Sequence, residues 1–366
     1  MESARDLDSL VACHRAFWMC GPTDRPLIQV TCSDYVLPEL LASTLPDGEL
    51  SPEDIDPNAM LTEYDRVAAA RTLIGDDTIG IAEPLLGIPW LEAICGCRVM
   101  VAKGKSIWPE QPHSSSDIRE IMFSKTNAWF RKLLQVLQVL VEYVGGRYAI
   151  SISHMRGPSD VLIALLGSDR FLMSLIDDPA HLDHLARQAA EVWLKVVQAQ
   201  TRIVPPFRGG YGIRQFGLWA PERVVWLQDD TSCMMSLNHY RQFFLKPMHS
   251  MSVFPYGVLH LHIPSLHLAE TLVSVPNVRA VNLYFDSPGA TLADTYPLLR
   301  RLQSRQVPLI LAKTVEEGFS WDEYCEIAAN LSSRGLAVHL RAASVEEGCA
   351  VMDLVRRKTP ELVRQW

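Results

Sequence analysis

The chain has 366 residues, 48% of them hydrophobic and 21% charged, which excludes a disordered or fibrous protein and allows a large core without covalent staples. A formal charge of -8, from 42 acidic and 34 basic side chains, argues against nucleic acid as the main partner, because phosphate binding needs clustered cations. No cationic run leads into an apolar segment at the N-terminus, and Leu133 to Val144 is interrupted by Gln135, Gln138 and Glu142, so neither a signal peptide nor a membrane span is expected. The eight cysteines have no C-x-x-C spacing; Cys95-Gly96-Cys97 is their one close pair. They read as buried free thiols and fit a cytoplasmic location.

A helix near Asp8 to Met19 leads into Pro26 to Thr31, a strand-like run. The stretches Pro46-Asp47-Gly48 and Pro52-Glu53-Asp54 then mark an excursion over the surface. Residues 1–77 are expected to form a helical and loop elaboration packed on the remainder, residues 78–366. From Thr78 short β-rich runs alternate with longer amphipathic segments. The expected strands are Thr78 to Ala82, Arg98 to Ala102, Tyr148 to Ser153, Arg223 to Leu227, Val258 to Ile263, Arg279 to Phe285, Val307 to Ala312 and Ala337 to Leu340, with some earlier runs open to a hairpin or lid instead. The expected helices are Asp160 to Leu175, His181 to Ile203, Asn238 to Val253, Leu292 to Arg305, Trp321 to Leu331 and Val345 to Arg357. Ser320-Trp321-Asp322-Glu323 and Ser344-Val345-Glu346-Glu347 fit capping boxes. Sustained alternation of this kind means a parallel sheet, closed as a barrel or doubly wound. No G-x-G-x-x-G follows a strand, which weakens the nucleotide-binding version.

Several strand ends carry chemistry at a spacing of two, which puts both side chains on one face. His260 and His262 could be adjacent metal ligands; the alternative is a pair of hydrogen-bonded histidines. His339 and Arg341 would supply a titratable group and a fork for a carboxylate if they face the lumen, and Arg341 would be solvated if it begins the loop. His154 and Arg156 repeat the pattern, with Arg156 gripping an anion or sitting in an ion pair. Asn282, Tyr284 and Asp286 share a face, Tyr284 being the candidate for a substrate contact. Gly209-Gly210-Tyr211-Gly212, flanked by Arg208 and Arg214, reads as a lid over an anionic ligand or as a plain connection.

Three stretches resemble the uroporphyrinogen decarboxylase-like superfamily, which includes the zinc- and corrinoid-dependent methyltransferases. They are Arg156-Gly157-Pro158-Ser159-Asp160 with its helix to Asp177-Asp178-Pro179, then Gln228-Asp229-Asp230-Thr231-Ser232 with Ser236 to Pro247, and Gly257-Val258-Leu259-His260-Leu261-His262. The first third of the chain is similar only through Gly87 to Glu92. The resemblance implies an α/β fold, a (β/α)8 TIM barrel with an N-terminal elaboration. It also implies that Asp230 is a general acid or base or a substrate anchor, that zinc or another divalent metal sits at His260 and His262, and that a corrinoid protein carries the methyl group. A homodimer is a further implication.

This chain departs from the family where those methyltransferases have His-x-Cys, here His260-x-His262, and where a further cysteine would fall, here Arg341 and Ala342. A thiolate zinc site is therefore not expected; nitrogen and oxygen ligands, from Asp230, Glu83 or His339, would leave a metal more Lewis-acidic. The Arg-Gln-Ala-Gly-Arg segment of the decarboxylase has no counterpart in Gln29 to Tyr35. Three functions follow: a metal-assisted methyltransferase or demethylase acting on a small polar or anionic substrate, a metal-free decarboxylase or lyase of a carboxylated substrate, and a non-catalytic ligand-binding barrel. In the first, His260 and His262 hold the metal, and Asp230, His339 and Tyr284 are the catalytic groups. The substrate would be held by Arg156, His154, Arg341, Asn282 and Tyr211.

Overall fold

The structure, a computed structural model, describes residues 6–32, 37–85, 87–113, 118–286, 289–313 and 318–363. Ser33, Asp34 and Tyr35, part of the segment compared with the decarboxylase, lie outside the described residues. The strands are β1 (Leu27–Cys32), β2 (Gly48–Leu50), β3 (Ile81–Ala82), β4 (Arg98–Ala102), β5 (Ser106–Glu110), β6 (Ala149–Ile150), β7 (Tyr211–Ile213), β8 (Leu218–Ala220), β9 (Val224–Leu227), β10 (Tyr256–His262), β11 (Val278–Tyr284), β12 (Leu309–Ala312) and β13 (Leu336–Ala342). Six of them form a parallel sheet in the order β1-β13-β12-β11-β10-β9, and β3 pairs with β6 in a second parallel ladder. Helices return the chain between successive strands of the larger sheet, as parallel pairing requires.

The larger sheet is buried on both faces, and the two faces hold different residues. Ile28, Val30, Val225, Leu227, Leu259, Leu261, Val281, Leu283, Leu311 and Val338 join the main core beneath the helices. Their alternates Leu27, Val224, Trp226, Val258, Ala280, Ile310 and Ala337 form a separate cluster on the concave side. The hairpin β7–β8 plugs that concave side from the strand N-termini, adding Ile213, Phe216 and Leu218 to the same cluster. Strand-end residues beyond this apolar floor therefore project into a mouth at the C-terminal ends, where barrel enzymes carry their sites.

The architecture is mixed α/β and TIM-like, yet the expected closed eight-strand ring is not completed by ladders among the described residues. Between β1 and β3 the bridge is made by carboxylates. Asp77 accepts from the Ile28 N–H at 2.8 Å, Asp76 accepts from the Val30 N–H at 2.9 Å, and the Asp77 N–H returns to the Ile28 carbonyl at 2.8 Å. Asp77 is held in turn by the buried guanidinium of Arg25, and His14 binds its carbonyl at 2.8 Å. At the other break β7 contacts both β6 and β9, and a Cβ on Gly212 would meet Ile81 at 2.8 Å and Ala149 at 3.1 Å.

Several expectations need correction. Arg98–Ala102 is a strand and takes the hairpin alternative, pairing antiparallel with β5 and with β2; its burial alternates, so one face meets solvent. The strand-like run at Pro26 to Thr31 joins the large sheet as β1, buried at every residue, so the sheet begins at Leu27 and not at 78. The expected helix Asp160 to Leu175 is two helices, Pro158–Leu166 and Ser168–Asp177, divided at Gly167 with φ +80. Asn238 to Val253 likewise divides into Leu237–Phe243 and Leu245–Met251. Ser320 and Glu323 form the expected capping box, whereas the Glu347 carboxylate reaches the Ala343 N–H at 2.6 Å instead of Ser344. The box at Thr291 and Asp294 was not anticipated. All eight cysteines are free thiols, but of these Cys32 and Cys97 are the buried ones and Cys233 is exposed. No helix among the described residues is long and apolar enough to cross a membrane.

Candidate metal centre

Strand β10 places the first two donors. Val258 belongs to the concave apolar floor, so His260 and His262, two and four residues on, stand above it on the same face. Strand β11 stands beside it in parallel register, with Asn282 opposite His260 and Tyr284 opposite His262.

Hydrogen bonding fixes which nitrogen of each ring is available. Asn282 Nδ2 donates to the Ile310 carbonyl at 3.1 Å, so Asn282 Oδ1 is the atom 2.5 Å from His260 Nδ1. That nitrogen must donate, which leaves a lone pair on His260 Nε2. Asp286 does the same for His262, its Oδ1 lying 2.8 Å from Nδ1. The two Nε2 atoms face each other at 3.1 Å. Asp230 Oδ1 completes the group, 3.1 Å from His262 Nε2 and 3.9 Å from His260 Nε2. These three residues are the one such potential metal-holding group among those described.

Asp230 is carried there by two motifs that hold each other. The Asp160 carboxylate, in the first turn of helix Pro158–Leu166, accepts from the Asp230 N–H at 3.0 Å and from the Thr231 N–H and hydroxyl at 2.7 Å each. In return Asp229 Oδ1 accepts from the Ser159 N–H at 2.9 Å and hydroxyl at 2.6 Å. Neighbours on an extended chain face opposite ways, so Asp229 is turned into the protein and Asp230 to the mouth. Gly157 is required at the crossing, because a Cβ there would lie 2.3 Å from the Gln228 carbonyl and 2.8 Å from Asp229 Oδ1. Gly157→Ala is expected to cost about 1–3 kcal/mol by overpacking, measurable by urea unfolding.

The electrostatics follow from this geometry. Burial pushes the Asp230 carboxyl up, but its contact with His262, the nearby imidazoles and the Gln228 amide outweigh that and hold it at about 2. Burial pushes His260 down to about 4, Asp230 offsetting only part of the effect. His262 is pushed down by burial and up, more strongly, by Asp230 and Asp286, reaching about 9. Without a cation, the Nε2–Nε2 gap is thus filled by a proton on His262. Burial also pushes the Asp160 and Asp229 carboxyls up.

The remaining expected residues divide. Tyr284 flanks the pair, its ring centroid 5.3 Å from His260 and 5.5 Å from His262. Asn282 serves His260 and is 2% exposed, so its place is behind the imidazole and not against a substrate. His154 bonds Gln228 Oε1 at 2.5 Å. Arg156 pairs with the buried Glu92 at 2.5 Å, the ion-pair alternative. His339 is buried, held by Thr31 Oγ1 at 2.5 Å and the Lys313 carbonyl at 3.3 Å, and burial pushes it down to about 4; both ring nitrogens are engaged in structure. Arg341 is exposed on the same face of β13, at the mouth. Tyr211 is elsewhere: it lies on the plugging hairpin against Arg223, 4.1 Å from the guanidinium, at the strand N-termini. The glycine-rich segment is a floor and not a lid. Asp230 was expected to move a proton; with its carboxyl held at about 2 it stays ionised and suits a ligand better.

Gln228 was overlooked, although it shares a face with Asp230 by the same spacing of two. A cleft of about 540 Å³, lined by Leu10, Asp65, Arg71, Tyr148 and Phe207 among others, lies at the opposite end. Its Arg147 and Asp65 pair with each other at 2.6 Å, and neither imidazole of the site lines it.

No family model matches the chain. No curated protein matches it either. Among solved structures it is similar to a methyltransferase from Methanosarcina mazei, at 15% identity and a TM-score of 0.64, over 96% of this chain and 98% of that one. The likeness is one of fold, spanning both chains almost end to end.

Proposed function

We propose that the chain is a metal-dependent enzyme of the methyltransferase type, with His260, His262 and Asp230 as ligands and a small polar or anionic molecule as substrate. One observation carries the reading: three donor atoms converge at separations of 3.1, 3.1 and 3.9 Å, with Asp230 Oδ1 buried and facing the imidazoles. Ligands about 2.1 Å from a tetrahedral ion stand about 3.4 Å apart, within that spread. Each imidazole is oriented from behind by an acceptor, as metal-binding histidines are. The full-length likeness to a methyltransferase favours methyl transfer over the lyase and binding-protein readings, and the superfamily and a corrinoid carrier belong to the same proposal.

His260, His262 and Asp230 would hold a divalent cation, which would supply positive charge to a polar substrate atom. The protein's own groups do the rest. Asn282 and Asp286 keep the Nε2 lone pairs aimed at one point, while Trp226 and Tyr284 cover the His260 ring at 5.2 and 5.3 Å and restrict water. Arg341 offers charge at the rim to an anionic group. With nitrogen and oxygen donors and no thiolate, the site is harder than a cysteine zinc centre.

Elemental analysis and calorimetric titration with zinc test the proposal; one equivalent per chain is expected, and no binding after careful loading sinks it. Uptake must displace the proton held by His262, so affinity is expected to rise about tenfold per pH unit between about pH 4 and about pH 9, the values of His260 and His262, and to level off above. A flat profile across neutral pH would contradict the ligand assignment.

A further inference from the structure

We infer that Gln228 is a positioning residue that selects which oxygen of Asp230 faces the two imidazoles, and that His154 and Trp226 lock it in place; this deepens the metal-site reading and rests on it. The orientation of the amide follows from chemistry. The Trp226 indole N–H can only donate, and it lies 2.8 Å from one terminal atom of Gln228, which must therefore be the oxygen. The amide nitrogen then faces Asp230 Oδ2 and donates to it. His154 Nε2, 2.5 Å from the same Gln228 oxygen, must also donate. Asp230 Oδ2 is thus occupied, and Oδ1, buried and 3.1 Å from His262 Nε2, is left for the imidazole pair.

The four side chains come from two places brought together at the mouth. Trp226, Gln228 and Asp230 follow one another on one face at the end of β9, and His154 arrives from the segment after β6. Gln228 is 6% exposed, so water does not readily replace its bonds. Without the clamp, Asp230 is free to rotate about its terminal bond and to offer either oxygen, or neither.

Cobalt(II) is the probe, because its visible absorption reports ligand number and symmetry. Gln228→Met keeps the volume and removes the donor. It is expected to weaken cobalt binding roughly 10–100-fold and to change the visible band of the loaded protein. His154→Phe is expected to weaken binding several-fold, and His154→Gln, which retains an N–H donor, to restore it. A role confined to packing would leave the band unmoved and would not distinguish the two His154 variants. Should Gln228→Met fail to fold, the His154 pair decides. Wild-type cobalt affinity and spectrum in the variants overturn the clamp alone; absence of cobalt binding by the wild type overturns the three-ligand site and the clamp with it.

Discussion

Replacing His260 with alanine is expected to abolish stoichiometric zinc uptake, with an affinity loss greater than the roughly 10–100-fold that outer partners of a metal site are worth. In the proposed site the imidazole is one of three protein donors, and its Nε2 lies 3.1 Å from that of His262. The substitution also strips the donor from Asn282 Oδ1, an atom on a residue 2% exposed. An unmet acceptor of that kind costs about 1–3 kcal/mol, so the metal-free variant should unfold at a lower urea concentration too. The exposed His249, replaced in the same way, is the control and should change neither quantity. Equal zinc affinity in His260→Ala and the wild type would remove the metal assignment.

The largest expected effect on stability lies far from the site. Asp77→Ala removes the carboxylate that receives the Arg25 guanidinium and the Ile28 N–H. Arg25 has 3% of its side chain exposed and would be left as a buried, uncompensated cation. Breaking one half of such a pair costs about 3–5 kcal/mol, a large share of the roughly 5–15 kcal/mol that holds a domain together. The double variant Arg25→Met with Asp77→Leu should recover much of that loss, since it leaves no charge unpaired. Urea denaturation of the three variants measures both statements. A double variant no better than Asp77→Ala would show that the cost lies in the strand contact and not in the charge.

What could be read from the residues was whatever depends on local spacing. A period of two placed His260 with His262 and Asn282 with Tyr284, because each pair sits inside one strand. Capping at Ser320 was visible because hydroxyl and carboxylate are three residues apart. The Gly-Pro-Ser-Asp and Gln-Asp-Asp stretches stood out as segments, although nothing in either says that Asp160 caps the turn carrying Asp230. Tyr211 was misplaced for the same kind of reason: a glycine-rich loop has no period, and whether it roofs or floors a barrel depends on partners distant in the chain, Ile81 and Ala149. Asp76 and Asp77 look like turn residues, yet they stand in for a neighbouring strand, a role that appears only when β1 lies alongside.

That substitution of side chains for a strand ladder divides the ring unequally. All three proposed ligands and their supports Asn282 and Asp286 ride on the six-strand portion or the turns leaving it, whereas His154 and Arg156 leave from the two-strand insert. Carboxylates and a plug, unlike a row of peptide bonds, yield one contact at a time. The insert is therefore fastened to the ligand-bearing sheet at the mouth by side chains, through Ser159 with Asp229, Asp160 with Asp230 and His154 with Gln228, so the contacts that orient the proposed ligand carboxylate are also the ones that join the two parts of the wall.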